Sequence, residues 1–125
     1  MVQTDISQLS AECAEWRQIL RNYRDEFHEF KKELQNICKT TLSKNQYQDV
    51  EHYHNQFHIQ LINIHDLKQL IKSHEKQIET QTSGKGKPEG LYRTHEDLLD
   101  RFVSLENTLQ ELRTDFKKFI SSTSS

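Results

Sequence analysis

A chain of 125 residues, 33% of them hydrophobic and 29% charged, has the size of one domain but too little apolar content for a sphere around a thick core. Its 17 basic and 19 acidic residues are interspersed, for a formal net charge of -2, which excludes a phosphate-tracking surface and with it nucleic acid as a partner. No apolar run approaches the roughly 20 residues of a membrane span, and the opening MVQTDISQLSAE lacks the basic and apolar regions of a secretory signal, so the expected location is the cytoplasm.

High polarity also suits disorder, but disorder needs weak periodicity, and this chain is strongly periodic. Long amphipathic helices satisfy both facts, because each buries a narrow stripe and exposes the rest. The first stripe runs through Ile6, Leu9, Cys13, Trp16, Leu20, Tyr23, Phe27, Phe30, Leu34 and Ile37, alternating steps of three and four without a break. That is a heptad seam, predicting a helix over about 5–41 with Thr4 or Asp5 as its cap. Glu12, Glu26 and Glu33 precede seam positions and Arg17, Arg24 and Lys31 follow them, so the two flanks carry opposite charge. Cys13 and Cys38 stand about 37 Å apart on such a helix and cannot bridge each other. Reduced thiols in a reducing compartment are expected.

The first helix should stop near Thr40 and Thr41. Ser43 and Gln46 have the spacing of a capping box, and Leu42 and Tyr47 that of a hydrophobic staple, so a second helix is predicted over about 44–80. Its seam takes every seventh residue: Val50, Phe57, Ile64, Ile71 and Ile78. The two seams are out of register with one continuous helix, which implies a tight hairpin. Folding it near Leu42 sets Phe27 opposite Phe57, Leu20 opposite Ile64, and Trp16 near Lys68, whose stem would cover the indole.

The glycines and the proline fall together in SGKGKPEG, predicting a loop over 81–93. It lacks the two glycines four residues apart followed by Lys-Ser/Thr that a phosphate loop requires, so it reads as a connector. A third helix is expected over about 94–120, capped by Thr94 with Asp97 three residues on. Its seam is His95, Leu98, Phe102, Leu105, Leu109, Leu112, Phe116 and Phe119. Residues 121–125, SSTSS, form a flexible tail by expectation. The predicted fold is an all-α, antiparallel up-down-up three-helix bundle of coiled-coil character.

Five of the seven histidines, His52, His54, His58, His65 and His74, lie on the second helix. His54 and His58 are one turn apart, so their rings could reach one metal ion, and Glu51-x-x-His54 has the spacing used in di-iron bundles. Such a site needs a matching motif and further inward glutamates on other helices, and none is present. His95 and Asp100 repeat one spacing of the oxygen-carrying hemerythrin bundle, without its remaining histidine motifs. Histidines flanking a core are the simpler reading, with no metal or other cofactor, and Glu51, His54 and His58 as the candidate ligands should one bind. No acidic pair, Ser/His/Asp set or Cys/His pair lies at helical spacing on an inward face, so no catalytic residues and no enzymatic activity are expected.

Ile59, Ile62 and Leu70 lie off the second seam, and Leu99, Val103 and Ile120 off the third. Ile59, Ile62, Leu70, Leu99 and Val103 are the expected interaction surface, for a homodimer or another helical protein.

Glu12, Trp16, Leu20, Glu26 and Lys32, together with Val50-Glu51-His52-Tyr53-His54-Asn55-Gln56-Phe57 and Ile64-His65-Asp66-Leu67, resemble a family of small bacterial coiled-coil proteins of unknown function. The likeness spans the first two helices and implies no activity. The plan of three long helices with an early tryptophan is also similar to a spectrin repeat, which implies fold alone. The reading that follows is a non-enzymatic protein-binding or scaffolding module that self-associates, with a metal-binding bundle as the alternative.

Overall fold

The computed structural model describes residues 6–40, 42–82 and 88–123. They form three helices, α1 (Ile6–Cys38), α2 (Lys44–Thr82) and α3 (Pro88–Thr123), packed as an all-α three-helix bundle. Partner pairs give the directions. Phe27 meets Phe57 and Arg17 meets Glu75, so α1 and α2 are antiparallel. Tyr53 meets Phe119 and His74 meets His95, so α2 and α3 are antiparallel as well. Cys13 faces His95, Tyr23 faces Glu106 and Phe30 faces Phe116, which leaves α1 and α3 parallel and completes the up-down-up order.

The predicted α2 seam from Val50 to Ile78 is buried, and Gln60, Leu67 and His74 join it as a second inward set. Phe27, Phe57 and Phe116 are fully buried and meet as one aromatic knot, with ring centroids 4.8 to 5.6 Å apart for the Phe57 contacts. Aromatic residues there let wide gaps be filled by single side chains. The backbones of α1 and α3 approach each other less closely than those of the two antiparallel pairs, and long side chains span that gap. Arg113 reaches from α3 to Glu26 at 2.7 Å and lies over the Tyr23 ring at 5.1 Å.

The hairpin between α1 and α2 closes as its sequence predicts. Gln46 donates its backbone NH to Ser43 Oγ at 3.2 Å, and Ser43 returns its NH to Gln46 Oε1 at 2.8 Å. Two orphan donors are thereby satisfied. Leu42 packs on the core, while Tyr47 is 51% exposed, so the expected staple between them contributes little. The Trp16 indole packs against α3, 4.6 Å from the His95 ring and 5.9 Å from Phe102. Burial lowers the pKa of Lys68 on α2, and the positive charges of Arg24, Arg21, Lys72 and Arg17 add to the effect.

Helix ends carry the other differences. α1 stops at Cys38 rather than 41, its last carbonyls taken by Lys39 and Thr40 in a tight turn. α3 starts at Pro88, so Thr94 and Asp97 lie inside the helix and the loop predicted over 81–93 is shorter at both ends. The reason is Pro88 at the first helical position, where the missing NH costs nothing, followed by Leu91, which is buried and extends the seam one step before His95. At the far end Ser121–Thr123 continue α3, and Ser122 and Thr123 donate their hydroxyls to Phe119 and Ile120 carbonyls. The expected cap at Thr4 or Asp5, the stop at Thr41, loop residues 83–87 and Ser124–Ser125 lie outside the described residues.

Candidate functional site

Two features stand apart from the packing of an ordinary bundle. One is a cluster of titratable side chains inside the core, and the other is apolar surface left outside it.

The cluster is built from one residue of each seam. Cys13 occupies an inward position of α1, His95 the seam of α3, and His74 the position three residues after Ile71 and four before Ile78 on α2. Because the helices are antiparallel in sequence order, these positions fall at one level. Cys13, His74 and His95 are 0%, 1% and 6% exposed. His74 Nε2 lies 3.0 Å from His95 Nδ1, and Cys13 Sγ lies 4.0 Å from the same Nδ1. All three donor atoms are within 4.8 Å of one another, the one such convergence of three ligating residues among the described residues.

Carboxylates border the cluster. Glu12 accepts from His95 Nε2 at 2.9 Å, which places that ring's proton on Nε2 and leaves the Nδ1 lone pair facing inward. His74 then donates from Nε2 to His95, and its own Nδ1 is buried without a hydrogen-bond partner. Arg17 grips Glu75 with two hydrogen bonds, Nε to Oε1 at 2.6 Å and Nη2 to Oε2 at 3.0 Å. Glu12 and Glu75 are 32% and 23% exposed, so the cluster meets solvent on their side.

This setting favours neutral groups. Burial pushes the Cys13 thiol up to about 12, and the charges of Glu75 and Glu12 add to the shift while Arg17 opposes it. Burial also lowers the pKa of His74, as does the neighbouring His95. Gln77 and Glu75 pull the other way, although the Gln77 side chain stops short of a hydrogen bond with Nδ1.

The expected ligands on α2 do not assemble. His54, His58 and Glu51 are all exposed and form no converging set with a third donor. The physical reason is their place on the wheel: Glu51, His54 and His58 directly follow Val50, Tyr53 and Phe57, and one step along a helix turns a side chain about 100° away from an inward position. Glu51 and His54 reach only the rim of an open groove of about 410 Å³ between the α1 and α2 ends, beside Cys38. His52 and His65 are exposed as well. A signal for the buried cluster was available in the pattern, since extending the α2 seam by its second set of positions gives Tyr53, Gln60, Leu67 and His74. Position alone could not show that His74, His95 and Cys13 share a level.

The apolar surface is present where expected. Ile59, Ile62, Leu70, Leu99 and Val103 are 41 to 46% exposed. They do not form one face. Leu99 and Val103 belong to the α3 stripe that continues through Glu106, Gln110 and Arg113 toward α1. Leu70 borders an open groove of about 610 Å³ between α2 and α3, with Leu67 and Leu105 in its lining, and Ile59 and Ile62 lie further out on α2. Ile120 packs against the core. No helix of the described residues is long and apolar enough to cross a membrane.

Comparison of the chain with protein-family models, with curated proteins and with solved structures finds no match.

Proposed function

We propose that this protein is a non-enzymatic interaction module that associates with a second copy of itself through the outer side of α2. The observation that carries the reading is Ile59, Ile62 and Leu70, 44 to 46% exposed on a helix whose inward seam is already occupied by α1 and α3, with Leu70 at the edge of the α2–α3 groove. The fold does not use these side chains, and branched apolar groups gain from leaving water.

A two-fold axis crossing α2 midway between Ile59 and Leu70 would set Ile59 of one copy against Leu70 of the other, so the same patch serves both partners. Burying the exposed parts of six such side chains is worth roughly 1 kcal/mol each, which supports a micromolar or weaker dimer once the cost of association is subtracted. Leu99 and Val103 lie on another side of the bundle and take no part in this contact. The grooves that line the helices are open, and the reading assigns no substrate and no catalysis to them.

Sedimentation equilibrium over a wide concentration range tests it. The wild-type chain should pass from monomer to dimer, Ile62→Lys should remain monomeric, and Leu99→Lys should dimerise as wild type does. A wild-type chain that stays monomeric into the hundreds of micromolar overturns the reading.

A further inference from the structure

We propose that the core holds a zinc site, with Cys13 Sγ, His74 Nε2 and His95 Nδ1 as ligands and Glu12 as the residue that orients His95. It is independent of the surface of α2.

The distances fit the ion. With Zn–N bonds of about 2.0 Å and Zn–S bonds of about 2.3 Å, a tetrahedral zinc separates two nitrogens by about 3.3 Å and a nitrogen from sulfur by about 3.6 Å. Here the nitrogens are 3.0 Å apart, the sulfur is 4.0 Å from one of them, and all three donors lie within 4.8 Å of each other. Shifts of a few tenths of an ångström to about one ångström, within the reach of side-chain rotation, would bring the three to bonding distance. One thiolate and two imidazoles are a borderline-soft set, suited to zinc and poorly suited to calcium or magnesium, which take oxygen ligands.

The surroundings fit as well. A metal-bound histidine ordinarily gives its other N–H to a carboxylate, and His95 does so to Glu12 at 2.9 Å. Trp16 packs on the same ring at 4.6 Å with the planes tilted by 31°, so the ring is held from two directions. Glu12 adds negative charge at the solvent edge, whereas Glu75 is already paired with Arg17. Without an ion the two head-to-head imidazoles share a single proton between two facing nitrogens.

Binding balances as follows. The Cys13 thiol loses its proton to water and the thiolate binds the ion. The proton on His74 Nε2 moves to His74 Nδ1, freeing the Nε2 lone pair, while His95 keeps its proton on Nε2 and offers Nδ1. One proton leaves per zinc bound. Three protein ligands leave a fourth position for a water molecule.

The competing explanation is a hydrogen-bonded polar layer that fixes helix register and binds nothing. Chelator-treated full-length protein separates the two when titrated with Zn²⁺ in weak buffer and, in parallel, with Co²⁺ as a spectroscopic probe. The proposal expects one ion and one released proton per chain, and a sulfur-to-cobalt charge-transfer band. Cys13→Ser, nearly isosteric and checked for folding by circular dichroism, should abolish the band, while Cys38→Ser and the double variant His54→Ala/His58→Ala should keep it. Glu12→Gln should weaken zinc binding about tenfold or more while leaving the band in place. The proposal is overturned by a wild-type chain that takes up no stoichiometric zinc, or by a band that survives in Cys13→Ser or disappears in Cys38→Ser.

Discussion

His74 Nε2 and His95 Nδ1 approach to 3.0 Å in the core of the bundle, two rings from antiparallel helices sharing a single proton. Each histidine takes the place of an apolar seam residue. The pair satisfies one nitrogen of each ring, Glu12 satisfies a third, and the fourth, His74 Nδ1, has no partner. Removing one partner from such a pair is worse than removing both, because a buried polar atom left alone keeps its desolvation cost. In metal-free protein, His74→Leu should therefore cost about 1–3 kcal/mol. Adding His95→Leu should restore most of that loss, and urea denaturation of the three variants measures the coupling directly.

At the other end of the bundle Phe57 is fully buried between Phe27, Phe30, Tyr53 and Phe116. Phe57→Ala removes the ring at the centre of that knot and should destabilise by about 3–5 kcal/mol. Ile62→Ala, on the exposed side of the same helix, should change stability by no more than about 0.5 kcal/mol. Thermal melts of both variants, read against wild type at a concentration where the chain is monomeric, give the comparison.

Gly90 lies in the first turn of α3 with nothing within 4 Å of the place a Cβ would occupy. Gly90→Ala should then add helix propensity at no steric cost, stabilising the fold by about 0.5–1 kcal/mol. A higher denaturation midpoint with an unchanged slope is the expected result.

Lys68 is partly buried in a positive field from Arg24, Arg21, Lys72 and Arg17, and burial is the first cause of its lowered pKa. Lys68→Met keeps the stem and removes the repelled charge. It should raise stability by up to about 1 kcal/mol, with the gain shrinking at high salt because the repulsion is screened.

Tyr23 and Tyr53 both have raised pKa values, chiefly through burial, with nearby carboxylates adding to the effect. Their neutral forms are thus favoured in the folded state. Stability from these groups is complete below the ordinary tyrosine pKa of about 10 and is lost as pH rises through the folded values. Ultraviolet titration should show the two tyrosines ionising late, and chemical denaturation should show stability declining above pH 10. Tyr53→Phe, which gives up one hydrogen bond to the Asp115 carbonyl, should flatten part of that decline.

How much of this was legible beforehand depends on whether a feature is local. The three helices, the hairpin at Ser43 and Gln46, and nearly every core residue follow from apolar spacing and one capping pair, because a helix buries whatever lies on its stripe. The Phe27–Phe57 contact followed from folding that hairpin. The start of α3 was misplaced because the glycines and proline of 84–90 suggest a loop, yet proline in a first turn and glycine facing open space are both compatible with helix.

The sequence alone determined the architecture, since seam spacing and charge patterning act within a few residues along one helix. Only the tertiary structure decided which histidines matter. Of five on α2, four point to solvent and the fifth, His74, meets His95 and Cys13 because hairpin geometry sets residues far apart in sequence at one level of the core. It likewise separated Leu99 and Val103 from Ile59, Ile62 and Leu70. Each of these depends on how one helix is rotated against the next, which the packing of large side chains in the core sets and no local pattern encodes.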